Sequence, residues 1–271
     1  MYIQSNENLG QSPLPQCPPA TAQNYSPPFQ SAQRTITESD APQIFRILCG
    51  PSPWQQYLRS NLSAHLQDLP IKPIRIVTDG ELARTYRSIF NTPTSAGTQG
   101  FVDRRNATIY LKEFPAGSRG TSVVGLALHE AVHLFSHPPG RSTLLTALAY
   151  GFLGEGLLEG LTQVITEDIQ TAQGIGPMHE RWQAYKEYVP VAREFIRIFT
   201  PSIVGDAYFK GYVNQLVQAV DQRWTRQGFQ TVSVLINQKK TQEALQLIRK
   251  LEQRYLNRPK PTIRQFNWIF R

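Results

Sequence analysis

Through residues 41–69 apolar side chains recur at three- and four-residue spacings: Ile44, Phe45 and Leu48, then Trp54, Tyr57, Leu58, Leu62 and Leu66. That spacing predicts helices, broken at Gly50, Pro51 and Pro53. Residues 73–77 read as a short strand. After a loop rich in Gly, Thr and Ser, 100–103 and 108–111 read as two strands joined through 104–107. Helical periodicity returns over 121–137, prepared by Gly117 and Gly120 and ended by Pro138, Pro139 and Gly140. Further helices fit 144–169, with a bend at Gly151, Gly154 or Gly156, then 178–200, 208–227 and 241–255, the last with Thr241 as its cap.

Helices, a small sheet and a mainly helical remainder make an α+β arrangement rather than alternating βαβ units. Residues 1–33 stand apart. They are rich in Gln, Ser, Asn and Pro, almost uncharged and without apolar periodicity, which predicts a disordered tail serving as a linker or an export address. A catalytic-sized domain is expected over 34–220 and a basic helical extension, packed on it, over 221–271.

Composition sharpens this. Hydrophobic residues make up 40% of the 271 positions and charged residues 18%, the profile of a folded chain. Cys17 and Cys49 are too few for a disulfide framework and are read as free thiols. The N-terminus, from Met1 to Asn6, lacks the charged start and apolar run of a Sec-type signal peptide, so the expected location is cytoplasmic, or exported by another route as a secreted or injected effector. The most apolar stretch, 144–158, is interrupted by Glu155 and falls short of a membrane span. The formal net charge of +8 belongs to the C-terminal segment, where residues 221–271 carry eleven Lys or Arg against three Asp or Glu. An acidic partner would suit such a segment; a solvated helix face is the simpler reading.

The chemistry concentrates at residues 128–134, Leu-His-Glu-Ala-Val-His-Leu, which contain H-E-x-x-H inside a predicted helix. Residues four apart on a helix differ by about 40° in azimuth and about 6 Å in height, so the imidazoles of His129 and His133 project side by side and can hold one ion. Glu130 points elsewhere, and can take a proton from an attacking water rather than serve as a ligand. A hydrolytic zinc site needs a third protein ligand and an open position. Ser136 and Pro139 stand where metzincins carry Gly and His, which excludes that class. His137 lies one turn further on; three histidines in a straight row cannot surround a tetrahedral ion, so it is read as near the site or as a helix-end cation. Residues 154–163 offer two carboxylates, Glu155 and Glu159, four apart in an otherwise apolar helix.

Residues 158–162, Leu-Glu-Gly-Leu-Thr, resemble the L-x-E-G-[FL]-[AT] segment that follows H-E-x-x-H in gluzincins, the metallopeptidase group of thermolysin and the aminopeptidase N relatives. The resemblance implies a zincin-like fold, Zn²⁺ as cofactor, Glu159 as third ligand, and Glu155 as a supporting or substrate-facing acid. Two departures stand beside it: the spacing from His133 is longer than in the aminopeptidase N relatives, and Gln163 occupies a position where many such proteins carry an acid. The strand region 101–111 also resembles the edge strand on which zincin folds bind substrate backbone. Residues 206–211, Asp-Ala-Tyr-Phe-Lys-Gly, resemble a segment of bacterial H-E-x-x-H proteins, some encoded near toxin or contractile injection loci.

The expected activity is therefore zinc-dependent hydrolysis of a protein or peptide substrate, an endopeptidase rather than an aminopeptidase, with Glu130 as general base. Tyr208 is the first candidate to stabilise the oxyanion, followed by Tyr212 and His179. Two other classes compete. A non-catalytic protein would close its metal site with Glu155 or His137. A nucleic-acid-binding protein would use the basic C-terminal segment with Trp224, Tyr255 and Trp268.

Overall fold

The computed structural model describes residues 36–65, 69–70, 72–95, 97–113, 120–136, 154–175 and 185–258. The expectations for the 1–33 tail, His137, His179 and Trp268 lie outside them.

A single 3₁₀ turn, Glu38–Asp40, leads into α1 (Ala41–Leu48) and α2 (Gln55–His65), separated at the Gly and Pro cluster. Ile44, Phe45, Leu48, Trp54, Leu58 and Leu62 are all buried, so the helical spacing read from the sequence is the core-facing stripe. Strand β1 (Ile74–Val77) follows, then helix α3 (Asp79–Phe90), β2 (Gly100–Asp103) and β3 (Thr108–Lys112). Helix α3 is absent from the sequence reading. Its start is a side-chain cap, Thr78 accepting from the Glu81 backbone N–H, and Asn91 ends it in the left-handed region at φ 55°.

The sheet order is β1-β3-β2, with β1 parallel and β2 antiparallel to β3. Alternation divides its faces. Ile74, Val102, Ile109 and Leu111 join the main core, while Val77 and Phe101 form a second cluster with Leu82, Tyr86 and Ile89 of α3 and with Tyr110. The main-core face meets α4 (Gly120–Leu134). Among the described residues β2 pairs only with β3, leaving its other edge unpaired.

The rest is helical: α5 (Glu155–Ala172), α6 (Val189–Lys210), α7 (Val213–Trp224), α8 (Arg226–Asn237) and α9 (Thr241–Leu256). The architecture is thus mixed α and β, mainly helical, with one small sheet. Helix α6 kinks at Thr200, which sits at φ 69° immediately before Pro201, where the proline ring disfavours helical geometry for its predecessor. The helix expected over 208–227 is cut at both ends, by Gly211 at φ 73° and Thr225 at φ 65°. Lys240, not Thr241, occupies the cap position of α9. Leu216, Trp224, Phe229, Ile236 and Ile248 belong to the same core as the site helices, and α7 runs through the boundary drawn at 220. Cys49, read as a free thiol, is disulfide-bonded. Among the described residues no helix is long and apolar enough to cross a membrane.

Candidate metal centre and its cavity

Helix α4 is buried almost all round: Val123, Val124, Ala127, Leu128, Ala131 and Val132 are each fully enclosed. Its two histidines therefore cannot be a solvated pair. The rings of His129 and His133 meet edge to face at 77° with centroids 4.9 Å apart, one turn from each other as the spacing requires.

Helix α5 brings the third group. Its Glu159 Oε2 lies 3.2 Å from His129 Nε2 and 3.1 Å from His133 Nε2. These are the edge lengths of a small coordination polyhedron: ligand atoms about 2.0–2.1 Å from a tetrahedral zinc stand about 3.3–3.4 Å apart. The three side chains form a His-His-Glu group positioned to hold a metal ion, and among the described residues no fourth His, Cys, Asp or Glu joins it. Burial opposes ionisation of Glu159, but the charge of His133 and hydrogen bonds from both imidazoles hold its carboxyl well below the usual range.

His129 Nδ1 is buried and has no hydrogen-bond partner among the described residues. Metal-binding imidazoles commonly donate that N–H to a carboxylate or carbonyl; here the ring is held instead by Tyr185, whose ring lies over it at 5.3 Å and 12°. Two glycines on α5 permit this. A methyl group at Gly160 would come within 2.9 Å of Tyr188 Cβ, and one at Gly156 within 3.1 Å of Tyr188 Cε1. The turn carrying Tyr185 and Tyr188 can thus lie directly on α5.

The group opens onto a cavity of about 810 Å³. Glu130 lines it but does not belong to the ligand group. Burial pushes its carboxyl up to about 7, against the pull of His129 and Arg104 and with the help of Glu159. Glu130 packs against the bare backbone of β2: a Cβ at Gly100 would stand 3.2 Å from Glu130 Cγ. Arg104, from the turn after β2, reaches the end of α4 by donating to the His133 carbonyl at 3.3 Å. Burial lowers its pKa, opposed by Tyr208, Glu159 and Glu130.

Glu155 also lines the cavity, exposed at the first residue of α5, but stands outside the ligand group. Tyr208 does not line it. Its ring is fully buried, its hydroxyl is 2.6 Å from Thr162 Oγ1, and burial raises its pKa; three consecutive buried residues, 207–209, put this part of α6 in the core rather than at the site. Tyr212 is 43% exposed at the start of α7 and is likewise not among the lining residues. Trp224 is core, with its indole N–H donated to Glu252. Tyr86, Tyr185 and Tyr188 do line the cavity, and Tyr185 is the one stacked on His129; none of the three was a sequence-based candidate.

Comparison with protein-family models, curated proteins and solved structures returned no match to this chain.

Proposed function

We propose that this chain is a metal-dependent peptidase, with zinc the ion that its two imidazoles and one carboxylate suit best. The observation that carries the reading is convergence. Two histidine Nε2 atoms one helical turn apart meet a single carboxylate oxygen at 3.1–3.2 Å, beside a cavity also lined by a carboxylate that is not a ligand.

When bound, a zinc ion would act as a Lewis acid on the substrate carbonyl and make water a better nucleophile near neutral pH. The chain's own residues supply the rest. Glu130 takes a proton from the attacking water at its carboxylate and returns it to the leaving amine. Gly100 lets Glu130 lie directly against the backbone of β2, because no side chain intervenes. Arg104 ties the β2–β3 turn to the end of α4 and keeps positive charge near two carboxylates.

A purely structural ion is the competing reading. It is disfavoured by the cavity onto which the group opens and, among the described residues, by a group of three, since structural zinc sites close with four protein ligands.

The test is digestion of a diverse peptide mixture by the full chain with one equivalent of zinc, read by mass spectrometry. Chelator-treated protein and Glu130→Gln serve as blanks. New peptide ends that depend on both metal and Glu130 support the reading; cleavage by Glu130→Gln at the wild-type rate would falsify it.

A further inference from the structure

The cavity extends well beyond the His-His-Glu group, past the free edge of β2 to the far end of α3. There Tyr86, Phe90 and Phe101 make three mutual ring contacts: Tyr86 to Phe90 at 4.6 Å, Tyr86 to Phe101 at 5.2 Å and 86°, and Phe90 to Phe101 at 5.8 Å and 80°. Tyr110 stacks beneath Phe101 at 5.0 Å. All three of the mutually touching rings line the cavity, as does Ile89, yet Phe90 remains 43% exposed. This is an aromatic shelf, backed by the sheet and open on one side.

The strand register connects the shelf to the site. The Lys112 N–H bonds the Gln99 carbonyl directly opposite. In an antiparallel ladder bonded pairs alternate, so Phe101 and Asp103 turn their N–H and C=O toward β3, and Gly100 and Val102 turn theirs to the free edge. A peptide laid extended along that edge would bond Gly100 and Val102. Its residue facing Gly100 would turn its side chain toward α4 and Glu130, and the adjacent residue, facing Phe101, would turn its side chain onto the shelf.

We infer that the shelf of Tyr86, Ile89, Phe90 and Phe101 is a specificity subsite that selects extended peptides carrying a bulky apolar or aromatic side chain next to the bond presented to Glu130. This rests on the peptidase reading for its place in a reaction, but not for the binding itself. A Phe or Leu side chain would bury its own apolar surface together with the exposed face of Phe90. An Ala side chain is too short to do so, and a Lys would have to strip water from its ammonium.

Two readouts on end-capped pentapeptides, varied at one central residue as Phe, Leu, Ala or Lys, test this. The first is kcat/KM for the zinc-loaded full chain; the second is Kd for the Glu130→Gln protein by fluorescence anisotropy. The Phe and Leu peptides are expected to exceed the Ala and Lys peptides by about tenfold in each. Phe90→Ala should bring the ratios close to unity, and Phe90→Leu should restore most of the selectivity; circular dichroism checks that both variants fold. Equal treatment of all four peptides, or selectivity that survives Phe90→Ala, would overturn the inference while leaving hydrolysis standing. Phe90-dependent binding without any hydrolysis would sustain the subsite and sink the peptidase reading instead.

Discussion

Tyr185 lies nearly flat on His129, with the planes 12° apart and the centroids separated by 5.3 Å. Because His129 Nδ1 has no hydrogen-bond partner among the described residues, the stacked Tyr185 ring is the contact that supports the imidazole in the orientation that aims Nε2 at Glu159. Removing the supporting partner of a metal-binding histidine typically costs 10–100-fold in metal affinity. Tyr185→Leu is therefore expected to weaken zinc binding by at least about tenfold, measured by competition with a chromophoric chelator. Tyr185→Phe should hold zinc nearly as well as the wild type, since the contact uses the ring face. Equal loss in both variants would move the role to the hydroxyl.

The same arrangement makes Gly160 sensitive. Its missing side chain admits Tyr188, whose carbonyl oxygen would stand 3.0 Å and Cβ 2.9 Å from an added methyl group, with Ala192 Cβ at 3.2 Å. Two of these three atoms belong to the turn that carries Tyr185, so Gly160→Ala forces a backbone shift rather than a rotamer change. Overpacking of this kind costs about 1–3 kcal/mol. A lower thermal midpoint combined with weaker zinc binding is expected. An unchanged midpoint would show that the turn can yield freely.

The histidine pair of the His-His-Glu group was legible because its geometry is local. His129 and His133 are four residues apart on one helix, and that alone sets their rings side by side. Glu159 was legible only through the residues around it, as one of two carboxylates in an apolar helix. What could not be read is what tertiary packing brings in from a distance: Gly100 against Glu130, Arg104 at the end of α4, Tyr185 on His129 and Phe90 at the cavity's far end. Helix α3 is different, because Thr78 followed three residues later by Glu81 is a capping signal in plain view. Missing it hid the whole shelf. Tyr208 illustrates the opposite case: a tyrosine three residues before Gly211 is chosen from its sequence surroundings, but burial and the pairing of its hydroxyl with Thr162 are set by core packing and keep it off the cavity wall.

In the C-terminal helices Arg223 and Trp224 both donate to Glu252, with the guanidinium bonding both carboxylate oxygens at 2.7 Å. Burial disfavours the charged carboxyl, but these hydrogen bonds and the charge of Arg223 prevail and lower its pKa on folding. A carboxyl with a lower pKa folded than unfolded stabilises fully above the unfolded value of about 4.3, and that stabilisation is lost as pH falls through the folded value. Glu252→Gln is expected to cost about 1–3 kcal/mol at pH 7 by weakening charge-assisted bonds. It should also make the loss of stability below pH about 4.3 shallower. Urea unfolding at a series of pH values measures both, and parallel wild-type and variant profiles would remove Glu252 from the acid response.

The proposed function assigns holding a metal and moving a proton to different side chains, and stability measurements can separate them. An ion bound only by the folded chain stabilises it by about 2.7 kcal/mol at a hundred times its dissociation constant, or roughly 5–10 °C for a chain of this size. Zinc should raise the wild-type midpoint by that amount. The shift should largely vanish in Glu159→Gln, which keeps the shape of the side chain but removes the charge that faces both imidazoles. Glu130→Gln should retain the full shift, because Glu130 lines the cavity without joining the ligand group. If Glu130→Gln lost the shift as completely as Glu159→Gln, Glu130 would be a ligand rather than a base, and the division of labour along α4 would have to be redrawn.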